Sequence, residues 1–533
     1  MIRRYGLFAA LLVLTAGALA LRVPSLGNRP MHGDEAVHAV KCATLWRSGE
    51  YSYDPNEFHG PTIYYAALPS LRLHGRRTFA ATQESDYRLP IALFGAAMVL
   101  LLAPLADGLG RRAALWSGLL LALSTAFVFY SRYYIQEIPL AFFTLGAIAC
   151  GWRYARGGRP VWLLAAGLCA GLMAASKETA VVSIVAAGLA IALTAAYTRR
   201  VDGRALDLGR LRNGKALGMA ALIAVLVAAL LVTGTLSHPG AVVDYFRSYA
   251  PWMHRAHGTE LHRHPTAYYL SLLIGHLRGS HERGPVWSEG LIVGLAAVGL
   301  IVALLPAAKS RLEGSAALAR FIAFFTIILI AVYSLIPYKT PWCVLSFLTG
   351  MILLAGIGAE ALVRAAPWRA LKAVVAVVLL LGCAQLGSQA YRASFVYYCS
   401  ADNPYVYAQP VPDITDLAAG VEMLAPFSPR RYAMPVYVVS VDNYYWPLPW
   451  YLRKFPNVGY VVGQMPADLS EASVILASPE FEDALTKRLD ATHVMKDSYG
   501  LRPGVFFDRW VRMDLWRAYI QTRQGIHPAA PGT

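Results

Sequence analysis

Two adjacent carboxylates, Asp34 and Glu35, stand in "PMHGDEAVHAVK" at residues 30–41, directly after the first apolar stretch. Carboxylates can act as a general base or hold a divalent ion. Further ionisable groups recur at the edges of later apolar stretches: His59 in "FHGPTIYY", Arg132 and Glu137 in "YSRYYIQEIPL", Lys177 and Glu178 in "ASKETA", Lys339 in "IPYKTPW". Cations can bind a phosphate and stabilise it as a leaving group. Each group has a plain alternative: Arg132 as a snorkelling interfacial arginine, Lys339 as a turn residue, Asp34 and Glu35 as a solvated loop or helix start. "ASKETA" resists that treatment, because its two charges lie between apolar segments with almost no loop. Ionisable groups at that depth are costly and usually face an internal cavity. The plain alternative there is a Lys–Glu pair that solvates a tight hairpin.

The elements that must position these groups are membrane helices. The chain has 533 residues, of which 56% are hydrophobic and only 15% charged. About eleven stretches are long and apolar enough to span a bilayer, at 6–22, 89–107, 113–130, 138–155, 161–175, 179–197, 216–235, 288–306, 319–337, 342–364 and 371–389. The first also fits a cleavable signal peptide, although a retained helix is favoured. The expected fold class is therefore an α-helical polytopic membrane protein.

The net charge of +16 does not point to nucleic acid, because the basic residues do not form one patch. Most fall in short loops on one side, including "DGLGRR" at 107–112, "RYARGGR" at 153–159 and the stretch 199–215. That bias marks the cytoplasm. It places the amino terminus inside and the loops 23–88 and 237–287 outside. All the ionisable groups named above then share the outer face of the cell (inner) membrane. They suggest an outward cavity with carboxylates at one part and cations at another, suited to a lipid-linked phosphosugar.

From about residue 390 the texture changes. Short β-branched runs, "PVYVVSV" at 435–441, "VGYVV" at 458–462 and "SVILAS" at 473–478, combine with helical patterns such as "EFEDALTKRL" at 480–489. This predicts an extracytoplasmic α/β domain over 391–533, after a transmembrane domain over 1–390. Seven of the thirteen histidines crowd into 238–281, including "HRH" at 262–264 and "HERG" at 281–284. No zinc spacing appears there, and a mobile outer loop, with substrate contact through His254, Arg255 or His257, is the simpler reading. The six cysteines are scattered and read as packing residues, a Cys42–Cys399 disulfide being disfavoured. No nucleotide-binding motif is present, and no broken helices in paired repeats suggest a secondary transporter.

At the same residues the chain resembles a known superfamily. "GDEAVHA" resembles the first-loop acidic motif of GT-C membrane glycosyltransferases, closest to protein O-mannosyltransferases and the aminoarabinose transferases of lipid A. "FHGPTIYYAAL" is similar to their "KPP…YW" stretch, and "SRYYIQEIPL" to their second outer-loop motif. With "HGP" and "WPLPWYLR" at 446–453, the pattern is most similar to the archaeal-type flippase-activity-associated proteins. The resemblance covers roughly 1–390.

It implies transfer of a sugar from a polyprenyl-phosphate-linked donor to a hydroxyl of a glycan, lipid or protein acceptor, among membrane lipids and with no nucleic-acid partner. Asp34 would be the general base, and Glu35 would support it or the helix start. Arg132 and Lys177 would bind the donor phosphate, with Glu137 orienting the cations or the acceptor and with His59, Glu178 and Lys339 in the same site. The resemblance assigns no certain cofactor, and a divalent cation at the carboxylates stays open. One departure stands out: the lysine of "KPP" is replaced by His59, followed by Gly60 and Pro61. Histidine is charged only part of the time near neutral pH. Either Lys177 or Lys339 then supplies that charge, or the donor differs, or transfer activity has been lost and the chain is a non-catalytic lipid-linked glycan flippase or its accessory.

Overall fold

The structure is a computed structural model that describes residues 2–56, 59–210, 213–256, 262–275, 287–307 and 312–523. It is mostly helical, and the chain separates into two compact units. The first comprises 1–26, 44–74 and 85–407; the second comprises 27–43, 75–84 and 408–533. The sequence reading draws one boundary at 390/391. The sheet-bearing unit resumes at Ala408 and also takes in two pieces of the first loop.

Among the described residues, seven helices are long and apolar enough to cross a membrane: Glu84–Leu102, Glu137–Gly157, Ala180–Asp202, Gly214–Val232, Ala316–Leu335, Pro341–Ala365 and Arg369–Val396. Three shorter apolar helices, Gly6–Arg22, Pro160–Ala174 and Gly290–Leu304, fill further expected spans. The stretch expected at 113–130 is a broken helix, Arg111–Leu123 then Thr125–Tyr130. Ser124 makes the break, because its hydroxyl accepts the Phe127 N–H as a helix cap. The polytopic helical fold expected from composition is the fold observed.

The segment Pro341–Ala365 is buried almost throughout, whereas Gly214–Val232 and Arg369–Val396 leave most of their apolar surface uncovered. Small residues let the central helix be crowded. A β-carbon on Gly358 would come within 2.0 Å of the Leu295 carbonyl oxygen, and one on Gly299 within 1.9 Å of that of Leu354. The helices Gly290–Leu304 and Leu345–Ala365 therefore meet backbone to backbone, the contact that small residues permit in membranes.

The second unit carries a five-stranded sheet of β1 (Val436–Ser440), β2 (Val458–Val462), β3 (Val474–Ala477), β4 (His493–Arg502) and β5 (Val505–Arg512), in the order β2-β1-β3-β5-β4. β1 pairs in parallel with β2 and β3, while β5 runs antiparallel to β3 and β4. The three β-branched runs and the helix Glu482–Leu489 appear where sequence places them. The β4–β5 hairpin was not expected. One face of the sheet is closed by Val439, Ile475, Leu485, Leu489 and Trp510.

The "WPLPWYLR" segment anchors the loop pieces within this unit. The Trp450 indole N–H donates to Glu84 at 2.9 Å, and the Arg453 guanidinium stacks 3.8 Å over Trp450 and donates to the Thr82 carbonyl. The Tyr451 hydroxyl accepts the Met31 N–H at 2.9 Å, and Gln409 donates to the Pro30 carbonyl. Two motifs about four hundred positions apart in sequence thus hold one another, which fixes the start of the Asp34 helix.

Candidate active site

Asp34 and Glu35 lie in the first turn of the helix Gly33–Ser48. The first amides of a helix have no internal acceptor. Here the Glu35 carboxylate turns back to accept the His32 N–H at 2.9 Å, and the His32 Nδ1 accepts the Asp34 N–H at 3.1 Å. This is a capping box with histidine as the cap. Glu35 also takes the Arg29 guanidinium at 3.1 Å and is fully buried. Burial pushes the His32 imidazole down, against the opposing pull of Asp34 and Glu35. The neutral ring uses its Nδ1 lone pair on the Asp34 amide. The 3.9 Å approach of that atom to the Asp34 carboxylate is therefore no ion pair. The Asp34 side chain is 54% exposed, and its carboxylate makes no hydrogen bond among the described residues. The two acids have parted company.

The other unit gathers four of the expected residues. The "ASKETA" break separates Pro160–Ala174 from Ala180–Asp202, and its two charges face different partners. Lys177 bonds Glu137, the first residue of Glu137–Gly157, at 2.5 Å, with both buried. Glu178 meets His59 Nδ1 at 2.7 Å and accepts the Tyr53 hydroxyl at 2.9 Å. The plain alternative of a Lys177–Glu178 pair is not what forms. Burial alone would raise the Glu178 carboxyl, but the His59 charge and its hydrogen bond, with help from Tyr53, outweigh it and hold the group at about 2. Burial likewise opposes the charge on Lys177, and Glu137 overcomes it, leaving the ammonium above its ordinary range.

Gly60 explains part of the "HGP" departure. A β-carbon there would come within 2.1 Å of the Ala175 carbonyl oxygen, which also accepts the Thr62 N–H at 3.2 Å. The His59 segment is thus pressed onto the chain just ahead of Lys177 and Glu178.

Arg132 and Lys339 are occupied otherwise. The Arg132 guanidinium donates to the carbonyls of Arg22, Pro24 and Ser25 at 2.9, 2.7 and 3.1 Å, and lies 4.3 Å over the Phe395 ring. It ties down the exit of the first helix, Ile2–Arg22, by taking the helix's last carbonyl and two in the turn beyond it. The buried Lys339 ammonium donates to the carbonyls of His264 and Ile336. Its amide bonds the His262 carbonyl, and the His264 amide bonds that of Pro337. "HRH" is therefore laid as a short antiparallel bridge on 337–339, which gives it a structural use. His257, the "HERG" segment and the Arg255 side chain lie outside the described residues.

Among the described residues no three His, Cys, Asp or Glu side chains cluster as metal ligands, and all six cysteines are free. Sequence reasoning missed Arg29, His32, Tyr53 and Glu289. Glu289 is fully buried and accepts from the Ser124 hydroxyl, the Ala126 amide and the Tyr405 hydroxyl, at 3.0, 2.7 and 3.4 Å. Its signal was a lone acid directly before an apolar run, in "WSEGLIVG".

A model of the family described as dolichyl-phosphate-mannose-protein mannosyltransferase matches residues 64–236 of the 533. The crystal structure of ArnT from Cupriavidus metallidurans bound to undecaprenyl phosphate is similar over 93% of this chain and 97% of that one, with TM-score 0.59 and 17% identity. The archaeal oligosaccharyltransferase AglB from Archaeoglobus fulgidus, in complex with an inhibitory peptide and a dolichol-phosphate, is similar over 90% of this chain and 70% of its own, with TM-score 0.56 and 12% identity. No curated protein matches the sequence.

Proposed function

Starting from a chain that has the fold of the GT-C membrane glycosyltransferases, we propose that it transfers a sugar from a polyprenyl-phosphate-linked donor to an acceptor hydroxyl on the outer face of the membrane, with Asp34 as general base. The observation that carries this reading is the split of the acidic pair. Glu35 is consumed by the helix cap and by Arg29, while Asp34 keeps an exposed, unshared carboxylate. A carboxylate so placed can take the proton of a hydroxyl as its oxygen attacks the anomeric carbon. The C–O bond to the phosphate then breaks on the opposite face, and polyprenyl phosphate leaves with inversion at the sugar.

The departing phosphate needs cationic partners. Within the first unit, His59, partly exposed and anchored on Glu178, and Lys177, fixed by Glu137, are the cations proposed for that task. Lys339 and Arg132 are weaker candidates, since the ammonium is committed to two backbone carbonyls and the guanidinium to three. The mannosyltransferase family match over 64–236 and the lipid phosphates in the two similar structures support the donor class.

The pairing of His59 and Lys177 with carboxylates also favours a second reading, in which lipid-linked glycan is bound and moved without chemistry. Reconstituted protein, given undecaprenyl phosphate carrying mannose, glucose or arabinose, separates the two. Transfer is expected to release undecaprenyl phosphate. Absence of release with all three, together with movement of lipid-linked glycan across the vesicle, would establish the non-catalytic reading.

A further inference from the structure

The helix that presents Asp34 begins against an aromatic shelf of its own unit. Tyr444, Tyr445 and Trp446 follow β1. The Tyr445 ring stacks on Trp446 at 5.9 Å and 27°, and meets Tyr460 of β2 at 5.1 Å and 35°. A β-carbon on Gly33, the residue before Asp34, would touch the Trp446 β-carbon at 3.9 Å. Arg502, the last residue of β4, lies 5.2 Å from the Tyr444 ring centre and donates to the Trp446 carbonyl. Burial lowers the Arg502 ionisation, and the neighbours that oppose it are Tyr444 and Asp34. Tyr444 is 43% exposed, and Tyr445, Trp446 and Tyr460 are half-buried.

Stacked rings that only filled a core would be covered. These leave aromatic surface open beside one exposed carboxylate and one guanidinium, an apolar platform with a few convergent polar groups. A sugar ring has that complementary chemistry: a C–H face for the rings and an edge of hydroxyls for the acid and the cation. A peptide acceptor would offer one hydroxyl and a backbone that calls for amide and carbonyl partners instead.

We propose that the acceptor is a carbohydrate, held by its ring face on the Tyr444–Tyr445–Trp446 shelf with its hydroxyl edge toward Arg502 and Asp34. This rests on the reading of Asp34 as the base and names the substrate class of that site. Arg502 is then a specificity residue, reaching a hydroxyl or an acidic substituent of the same sugar.

Ligand-observed saturation-transfer NMR on the purified full chain tests it, with malto-, manno- and arabino-oligosaccharides and a serine-containing hexapeptide as probes. At least one oligosaccharide is expected to take up saturation on its ring protons. Tyr444→Ala and Trp446→Ala should weaken that binding roughly tenfold, the scale of one lost aromatic contact. Tyr444 is exposed enough for its variant to keep the wild-type unfolding temperature; should Trp446→Ala unfold, Trp446→Phe replaces it and is expected to retain binding. No oligosaccharide binding, binding insensitive to Tyr444→Ala, or saturation of the peptide alone would overturn the proposal. A shelf that binds oligosaccharide in a protein without transfer would instead remove the base assignment and leave the shelf standing.

Discussion

Two doublets of adjacent charge, Asp34–Glu35 and Lys177–Glu178, make an instructive contrast. In both, the side chains turn to different partners. In the first, only one member is consumed: Glu35 is buried under Arg29 and the His32 amide, and Asp34 stays exposed. In the second, both are consumed, Lys177 by Glu137 and Glu178 by His59 and Tyr53. A paired, buried charge is a fixed feature of the frame, expensive to strand and poorly placed to accept a new proton. An exposed carboxylate on a rigid helix start is the reverse. The first doublet therefore reads as a reactive group with its support, and the second as preorganised electrostatics.

Substitutions can break that contrast, beginning with the largest effect. Glu137→Ala strands the Lys177 ammonium and should cost about 3–5 kcal/mol of stability, read by unfolding in detergent. The double change to Glu137→Leu and Lys177→Met should recover most of it. A single change without cost would show that the pair is not structural. Glu35→Gln weakens charge-assisted bonds to Arg29 and His32 and should cost about 1.5–3 kcal/mol, whereas Asp34→Asn should stay within about 0.5 kcal/mol of wild type. Equal losses would erase the distinction within the acidic doublet. Gly60→Ala drives a methyl into the Ala175 carbonyl and should cost about 1–3 kcal/mol, with weaker donor-lipid binding as His59 shifts.

The smallest effect is one of pH. Glu178 ionises at about 2 in the fold, against an ordinary 4.5. Its folded pKa is depressed, so the stabilisation is present above pH 4.5 and is lost as pH falls through about 2. Glu178→Gln should flatten that acid limb of the unfolding curve. An unchanged limb would remove the His59–Glu178 bond from the account.

Much of the fold was legible because apolar length and β-branched runs are local signals. The expected spans became helices, even at 113–130, where only the cap at Ser124 interrupts the run. β1, β2 and β3 were read from short apolar runs. β4 and β5 were not, because "HVMKDSYGLR" and "VFFDRWVR" mix charged residues with aromatics and leave no clean alternation. Candidate residues were visible as charges at apolar boundaries, but their partners were not. Lys177 finds Glu137 across 40 positions and Glu178 finds His59 across 119, distances that no local pattern encodes. Arg132 illustrates the cost of reading charge alone: carbonyls at the end of the first helix carry no sequence mark, yet they claim its guanidinium. The union of the Asp34 segment with "WPLPWYLR" in one unit was equally invisible, since it rests on single bonds such as that from Met31 to Tyr451.

The central claim is that Asp34, and not its neighbour, has a reaction to perform. It is tested most directly by sugar transfer from a polyprenyl-phosphate donor in proteoliposomes, with Asp34→Asn and Glu35→Gln measured beside wild type at equal amounts of folded protein. Loss of a general base should lower the rate about a hundredfold or more in Asp34→Asn, while Glu35→Gln keeps most of the activity per folded molecule. Wild-type transfer by Asp34→Asn would contradict the account.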